Sequence, residues 1–187
     1  GEWKSLPNHV AAFDANGREL GIVFETSSPF DTPAHMDALL DWHRRAESDT
    51  GLHPLLRIGI FVVAFLAIHP FQDGNGRLSR ILTTLLLLRA GYGHVPYSSL
   101  ESIIEQNKEA YYLALRRTQT TWRENTADWP AWLLFFLRSI RQQITRLRQR
   151  LDANRPQLSP LARQLAALFE TRETLTNAEA VTLTGAN

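Results

Sequence analysis

One stretch of the chain limits what it can fold into more than any other. Residues 55–68 read Leu-Leu-Arg-Ile-Gly-Ile-Phe-Val-Val-Ala-Phe-Leu-Ala-Ile, and they are apolar on nearly every face of a helix that Pro54 would open. A helix of this kind must be surrounded by other elements, so it marks the centre of a bundle. Its apolar run from Ile58 is about half of the roughly 20 residues that span a bilayer, and we expect no membrane segment.

Helical periodicity also flanks this central helix. Asp31 or Thr32 can cap a helix that runs to about His43, and Arg89-Ala90-Gly91 gives a later helix a basic last turn and a glycine stop. The spacing of apolar residues predicts helices at about 32–43, 54–68, 76–90, 98–119 and 127–150. The chain is therefore expected to be mainly α.

Residues 10–25 carry the strand signal of the sequence. Val10–Phe13 and Leu20–Phe24 flank a segment that contains Asn16-Gly17, the strongest short cue for a hairpin turn. Two strands alone are barely stable, so the hairpin must lie against the helices. At least one of its edges is expected to stay free.

A change of composition near residue 150 predicts a domain boundary. Arg155–Pro160 reads as a linker, and Leu161–Glu170 reads as a short helix. We therefore divide the chain into a core, 1–150, and a second segment, 151–187. The chain starts without Met and stops at Asn187 without a closing element, so we expect it to be a piece of a longer protein.

Composition excludes several classes of function. The 187 residues contain no cysteine, which excludes disulfides, thiolate zinc sites and cysteine nucleophiles. The net charge is only +1, so no basic field argues for nucleic acid, and we expect no nucleic-acid partner for this part of the chain. The lack of cysteine fits a cytoplasmic protein.

Residues 69–80, His-Pro-Phe-Gln-Asp-Gly-Asn-Gly-Arg-Leu-Ser-Arg, connect the central helix to the next one. Gly74 and Gly76 let successive backbone N–H groups point the same way, which makes an anion-binding nest. The nest leads into a helix N-terminus that also favours a phosphate. Arg77 and Arg80 share one helix face, so both can reach polyphosphate oxygens.

Two further residues of this run supply acid–base and metal chemistry. Asp73 is a hard oxygen ligand, suited to Mg²⁺ that bridges phosphates. His69 is the one nearby side chain that can accept a proton near neutral pH. Each feature alone has a plain structural explanation, since Asp-Gly-Asn-Gly is a good turn and a lone histidine often packs or caps. Their coincidence within twelve residues favours a phosphate site.

Two other ion-binding patterns fit this run poorly. A calcium loop of the EF-hand type would need Asp or Asn where Arg77 stands and Glu where Thr84 stands. A P-loop would need Gly-Lys-Ser/Thr, which does not follow here.

The run from His69 to Arg80 resembles the signature of Fic domains, which transfer AMP from ATP to protein hydroxyls, and every signature position is filled. The resemblance extends from Gly1 to about Arg150. Gly1-Glu2-Trp3-Lys4 resembles the entry of many family members, and the hairpin at 10–25 resembles the family's flap. Tyr111-Tyr112 resembles its paired tyrosines. The fold that this implies is a Fic-type helical bundle with one β-hairpin flap.

The resemblance also implies roles for individual residues. His69 would deprotonate the target hydroxyl, Asp73 would hold Mg²⁺, and Arg77 and Arg80 would face the β- and γ-phosphates of ATP. Asn75 and the glycine amides would bind the α-phosphate. The implied phosphate-binding set is Asp73, Gly74, Asn75, Gly76, Arg77, Leu78, Ser79 and Arg80. The implied flap and adenine set is Gly21, Ile22, Val23, Phe24, Tyr111, Tyr112 and Gln119. Adjacent helical residues point about 100° apart, so we expect one of the two tyrosines to pack instead.

The expected partner is a protein whose extended segment adds along the flap edge, and self-modification or a homo-oligomer is a further option. Relatives of the Doc type are kinases with lysine at the second loop glycine, so Gly76 favours nucleotide transfer. Transfer of UMP, phosphocholine or phosphate, or removal of AMP, are the alternatives. Residues 158–187 resemble the opening of a winged helix, which leaves a DNA-binding regulatory module as the non-enzyme alternative.

Many family members carry an inhibitory glutamate that pairs with the second signature arginine. Thr120–Asn125 fits that pattern, but it falls between two core helices, and we expect it not to inhibit. Arg80 is therefore expected to have no glutamate partner within this chain.

Overall fold

The structure is a computed structural model of the chain, and it describes residues 2–13, 19–123, 128–154, 159–170, 172 and 174–185. Contacts divide the chain into two compact units, Gly1–Arg148 and Gln149–Asn187. The elements, in chain order, are β1 (Val10–Phe13), β2 (Glu19–Phe24), α1 (Thr32–Glu47), α2 (Pro54–Ile68), α3 (Asn75–Arg89), a 3₁₀ turn (Val95–Tyr97), α4 (Leu100–Gln106), α5 (Lys108–Arg123), α6 (Trp129–Ala153), α7 (Pro160–Phe169) and α8 (Asn177–Thr184).

Helix α2 is the centre of the first unit, as its apolar sequence predicts. It packs against α1, α3 and α5. Ile58 and Val63 are 1% and 0% exposed, and the helix is buried along most of its length. Its last residue precedes His69, so the packing of α2 fixes where the predicted phosphate loop begins.

A glycine lets α6 lie close to α2. A Cβ on Gly59 would come within 2.9 Å of Leu133 Cδ2 and 3.1 Å of Phe136 Cδ1, so a side chain there would require these side chains of α6 to shift. The Trp132 indole N–H donates to the carbonyl oxygen of Gly59 at 2.7 Å. This bond satisfies the indole N–H of Trp132, a buried residue that is 2% exposed.

The single helix predicted at 98–119 is wrong, because the structure has two helices there. Helix α4 ends at Gln106, and α5 begins at Lys108. Asn107 has φ −120° and ψ 31°, which is not helical. Its side-chain amide donates to the Ile103 carbonyl at 2.8 Å, so the asparagine closes the end of α4.

The two predicted strands pair antiparallel, with Val10 opposite Phe24 and Phe13 opposite Glu19. The register shifts twice along the pair. The predicted turn lies outside the described residues. Helix α5 lies against β2, which places the hairpin on the helical body as expected.

In the second unit, Thr176 and Glu179 form a reciprocal capping box at the start of α8. Among the helices that the structure describes, none combines the length and apolar character that crossing a membrane would require.

Candidate active site

His69 ends α2 in the left-handed region, with φ 55° and ψ 60°. Its N–H donates to the Phe65 carbonyl at 2.9 Å, which closes the helix. Its ring Nδ1 lies 3.2 Å from the Leu66 carbonyl oxygen. Because a carbonyl only accepts, this hydrogen bond requires the ring proton on Nδ1 and leaves the lone pair on Nε2. That tautomer is the one a general base needs.

The environment of His69 also favours the neutral ring. Burial lowers its pKa below the ordinary value of 6.5, and the positive charge of Lys4 lowers it further. The Leu66 carbonyl and the Asp73 carboxylate act in the opposite direction. Burial is the largest of these causes, so His69 is uncharged at neutral pH.

Two side chains near the amino terminus hold the segment that carries His69, and we call Lys4 and Asn8 the amino-terminal clamp. Lys4 Nζ donates to the carbonyl of residue 68 at 2.9 Å, and Lys4 N–H donates to that of residue 70 at 2.8 Å. Asn8 Nδ2 donates to the carbonyls of residues 69 and 71 at 3.2 and 2.6 Å. Four consecutive carbonyls are therefore held from outside the loop.

The two clamp residues also bind each other, since Lys4 Nζ donates to Asn8 Oδ1 at 2.9 Å. Lys4 is 3% exposed, and burial lowers its pKa to about 8. Sequence reasoning identified Lys4 through the resemblance but missed Asn8. No local pattern marks Asn8, because the loop carbonyls that it binds lie more than sixty residues away.

The loop after His69 reaches helix α3 through Gly74, which has φ 83° and so suits glycine. Hydrogen bonding within α3 starts with Leu78 N–H donating to the Gly74 carbonyl at 2.9 Å. The N–H groups of residues 75–77 are thus not used inside the helix, and they remain available to an anion. The N–H of Gly74 is bound by Asp73 Oδ1 at 2.6 Å.

The side chain of Asn75 is used inside the loop. Its side chain is 1% exposed, Oδ1 accepts from Phe71 N–H at 2.9 Å, and Nδ2 donates to the Phe71 carbonyl at 2.6 Å. The carboxamide therefore ties the loop together instead of facing a phosphate. Its backbone N–H is the group left for an anion.

The side chains of Leu78 and Ser79 are also turned inward. Leu78 packs against the hydrophobic core. Ser79 is 2% exposed, and its hydroxyl donates to the Gly76 carbonyl at 2.9 Å. Both side chains point into the protein, because positions 78 and 79 lie on the face of α3 that is turned to the bundle.

The two signature arginines are held differently. Arg77 Nη2 lies 3.6 Å from Asp73 Oδ2, and the side chains of Arg77 and Asp73 are 74% and 94% exposed. Arg80 Nη2 donates to Glu101 Oε1 at 2.7 Å, and the Arg80 side chain is only 24% exposed. The expectation that Arg80 lacks a glutamate partner is therefore wrong. Glu124 and Asn125 of the considered inhibitory pattern lie outside the described residues.

The predicted base and most of the predicted phosphate ligands share one open cavity of about 410 Å³. We call it the loop cavity. The described residues that line it are Asn8, His9, Val10, His69, Gln72, Asp73, Gly74, Asn75, Gly76, Arg77 and Arg80. His69 thus faces the same space as the free N–H groups of α3 and both arginines.

The residues that were predicted to border adenine or to belong to the flap lie in different surroundings. Tyr111 is 8% exposed, packs against Trp132 and Phe135, and has a pKa that burial raises, so it belongs to the core. Tyr112 is half-buried, with its ring 5.2 Å from that of Tyr111. Phe24 is buried with its ring centroid 6.5 Å from the His69 ring, edge to face.

Gly21, Ile22 and Val23 lie in β2, the strand against which α5 packs. Gln119 is 5% exposed and faces a second cavity of about 580 Å³, which we call the helical cavity. Its lining is mostly apolar by area and comes from the segment between β2 and α1 and from α1, α2, α5 and α6. Neither polar atom of the Gln119 side chain has a hydrogen-bond partner among the described residues. The described linings of the two cavities share no residue.

Residues 6–87 match the model of the Fic/DOC family. This segment belongs to the Fic/DOC family. It contains the hairpin, α1, α2, the loop and most of α3, so the match covers the elements that build the loop cavity. The expectation drawn from the His69–Arg80 resemblance is confirmed at this level.

Named relatives are similar in sequence to part of the chain. "Protein adenylyltransferase Fic" of Drosophila willistoni is 38% identical over 88 residues, which is 47% of this chain and 16% of that protein. The protein of the same name from Drosophila virilis is 39% identical over 71 residues, which is 38% of this chain and 13% of that protein. The chain thus matches only a small part of these relatives' length.

Two solved structures share the fold. A Fic family protein from Desulfovibrio desulfuricans G20 superposes with a TM-score of 0.59 at 26% identity, over 100% of this chain and 51% of that one. A Fic domain containing signaling protein from Bacteroides thetaiotaomicron superposes with a TM-score of 0.54 at 30% identity, over 78% of this chain and 52% of that one. The chain is mainly α and has Fic-type neighbours in structure.

Proposed function

We propose that the chain carries a protein adenylyltransferase domain, which transfers AMP from ATP to a hydroxyl of a target protein. The observation that carries the proposal is the loop cavity, which is lined both by His69, whose Nε2 keeps its lone pair, and by Gly74, Asn75, Gly76 and Arg77 at the start of α3. Relatives named protein adenylyltransferase Fic support this choice among phosphate chemistries.

The groups that line the loop cavity can supply each step of the proposed reaction. His69 Nε2 takes the proton of the target hydroxyl, and the hydroxyl oxygen forms a bond to the α-phosphorus of ATP. The bond between that phosphorus and the oxygen bridging to the β-phosphate breaks, and pyrophosphate leaves. Arg77 and Arg80 offset the charge that develops on the leaving group, and the N–H groups of residues 75–77 bind the phosphate.

The residues present fit a magnesium ion as the accompanying metal. Mg²⁺ is usually bound through one or two carboxylates together with substrate phosphates. The Asp73 side chain is 94% exposed, and its Oδ1 accepts from the N–H of Gly74, the residue that precedes α3. Among the described residues there is no cluster of three or more acidic or histidine side chains, so Asp73 would be the protein ligand. When bound, the ion would neutralise phosphate charge.

In this proposal the hairpin acts as a flap that presents the target. A two-stranded sheet leaves main-chain groups open at its edges, and an extended segment of the target can add to one of them. Gly21–Phe24 would then border the nucleotide, and Tyr112 and Gln119 would border its base.

Labelled ATP separates AMP transfer from its alternatives. The full chain is incubated with candidate protein substrates, and with no added protein, in the presence of Mg²⁺ and ATP labelled at either the α- or the γ-phosphorus. We expect protein-bound label from α-labelled ATP only. Label from γ-labelled ATP would indicate phosphate transfer. Modification of protein by UTP or CDP-choline but not by ATP would indicate that the transferred group is UMP or phosphocholine instead of AMP. Each of these results would contradict the proposal.

A further inference from the structure

Arg80 is held in place by a glutamate that comes from a separate helix. Arg80 lies in α3 and Glu101 in the first turn of α4, and Arg80 Nη2 donates to Glu101 Oε1 at 2.7 Å. The other signature arginine, Arg77, has only a 3.6 Å approach to an exposed carboxylate. One arginine of the loop cavity is therefore fixed, and the other is loosely placed.

The second arm of the Arg80 guanidinium points toward the start of α3. Arg80 Nη1 lies 3.5 Å from the position that a Cβ on Gly76 would occupy. The guanidinium is a rigid planar fork, so binding Nη2 to Glu101 also fixes the direction of Nη1. Glu101 and an anion in the loop cavity therefore use different N–H groups of Arg80.

We propose that Glu101 is a positioning residue that holds Arg80 ready for the outer phosphates of a bound nucleotide, a role that rests on the proposed function. Glu101 does not line the described part of the loop cavity, so it acts through Arg80. An arginine without this partner would have to be ordered when the ligand binds. Ordering one long side chain weakens binding by about three- to tenfold.

The negative charge of Glu101 acts in the opposite direction, because it repels phosphate. That repulsion is small here, since the Glu101 side chain is 68% exposed to water and its charge is paired with Arg80. At 0.15 M salt, charges in water are screened over about 8 Å. We therefore expect the ordering of Arg80 to decide the sign of the effect.

The test measures nucleotide affinity by calorimetry on the full chain at 0.15 M salt. The ligands are ATP, AMP and inorganic tripolyphosphate, and the variants are Glu101→Ala and Glu101→Gln. The matched control is Glu105→Gln, because Glu105 lies one turn later on α4 and pairs with Lys108 outside the cavity at 3.5 Å. Thermal melting confirms that each variant folds.

We expect Glu101→Ala to weaken ATP and tripolyphosphate binding about three- to tenfold, with AMP binding unchanged. Glu101→Gln keeps an acceptor for Arg80 and should retain part of the affinity, and Glu105→Gln should bind like the wild type. In the transfer assay, the KM for ATP should rise while kcat stays. In an Arg80→Ala background, the additional Glu101→Ala change should have no effect on ATP affinity, because Glu101 acts through Arg80.

Unchanged or tighter ATP binding by Glu101→Ala would overturn the inference, and tighter binding would show that Glu101 competes with phosphate. An equal loss for ATP and AMP would also overturn it, since that pattern reflects general damage to the site. A wild-type chain that binds no ATP would instead overturn the proposed function. The tripolyphosphate comparison would still decide the role of Glu101.

Discussion

The two cavities of the first unit are built in opposite ways. The loop cavity, of about 410 Å³, is lined by polar groups, many of which are already held by neighbours such as the amino-terminal clamp. The helical cavity, of about 580 Å³, is mostly apolar, and its buried carboxamide at Gln119 has no partner among the described residues. Fixed polar groups are what a site needs in order to stabilise developing charge, because they require no reorganisation during reaction. An unpaired carboxamide in an apolar wall is suited to selecting a ligand by shape and hydrogen bonding.

The largest expected effect belongs to the loop cavity. His69→Ala should lower the transfer rate about 10²- to 10⁴-fold and leave ATP affinity within about twofold, because the base acts on the target hydroxyl. His69→Asn tests the chemistry with less backbone strain, since asparagine tolerates the left-handed conformation of this position. Initial rates and calorimetric ATP affinity are compared for both variants.

The control for this prediction is His53→Ser, which replaces another histidine and keeps an N-cap acceptor for α2. It should transfer AMP at the wild-type rate. If both His69 variants lose ATP affinity as much as they lose transfer rate, His69 is structural. The loop cavity would then lack a catalytic base, as the helical cavity does.

Asp73→Asn should produce the next largest effect. It keeps the acceptor for Gly74 N–H but weakens a ligand for a hard cation, so transfer should fall at least about tenfold at limiting Mg²⁺. A rise in Mg²⁺ concentration should restore part of the rate. Asp37→Asn, which changes an exposed carboxylate on α1, is the control and should keep the wild-type Mg²⁺ dependence. A wild-type rate that is indifferent to Mg²⁺ would contradict the metal assignment.

The contrast between the cavities also explains what could be predicted from the sequence. The loop cavity is formed largely by residues 69–80, so the spacing of histidine, carboxylate, glycines and arginines could be recognised within one short run. The two ends of α2 could also be predicted from neighbouring residues, since Pro54 opens the helix and the apolar run ends at Ile68. The run alone does not reveal which face of α3 is buried, so it could not predict that the side chains of Asn75 and Ser79 point inward.

Contacts between distant parts of the chain could not be predicted. Asn8 binds carbonyls more than sixty residues away, and Glu101 binds Arg80 across the 3₁₀ turn. The helical cavity combines residues from four helices and from the segment before α1, and the sequence predicts only Gln119 as a site residue there, through the resemblance. The break at Asn107 escaped prediction because an asparagine within a periodic apolar pattern does not by itself end a helix.

A pH series tests the burial of His69 at the loop cavity. Because burial lowers its pKa below 6.5, the midpoint of the decline in transfer rate should lie below pH 6.5. The unfolded chain binds the proton more readily, so the free energy of unfolding should fall as pH drops below 6.5. His43, whose pKa burial also lowers, contributes in the same direction.

His69→Asn separates the two histidines, since it should make the loss of stability below pH 6.5 shallower without removing it. The measurements are initial rates for the wild type and denaturant unfolding for both proteins. A midpoint of the rate decline at or above pH 6.5 would contradict the lowered pKa of the ring.

The smallest effect, and the one that decides whether the two cavities serve one ligand, concerns Gln119→Leu. Leucine has a similar volume and removes two buried polar atoms that lack partners, so the variant should be more stable by about 1–3 kcal/mol in denaturant unfolding. If Gln119 borders the base, the same change should also reduce the preference for ATP over GTP severalfold, because a carboxamide can donate to and accept from the edge of adenine. Leu39→Met, an apolar exchange in the same wall, should leave that preference intact. Both the free energy of unfolding and the preference for ATP over GTP are needed. The first measures the cost of burying an unpaired carboxamide, and the second measures the contact of that carboxamide with a base. A gain in stability with an unchanged ATP preference would separate the helical cavity from the nucleotide and leave the loop cavity to bind ATP alone.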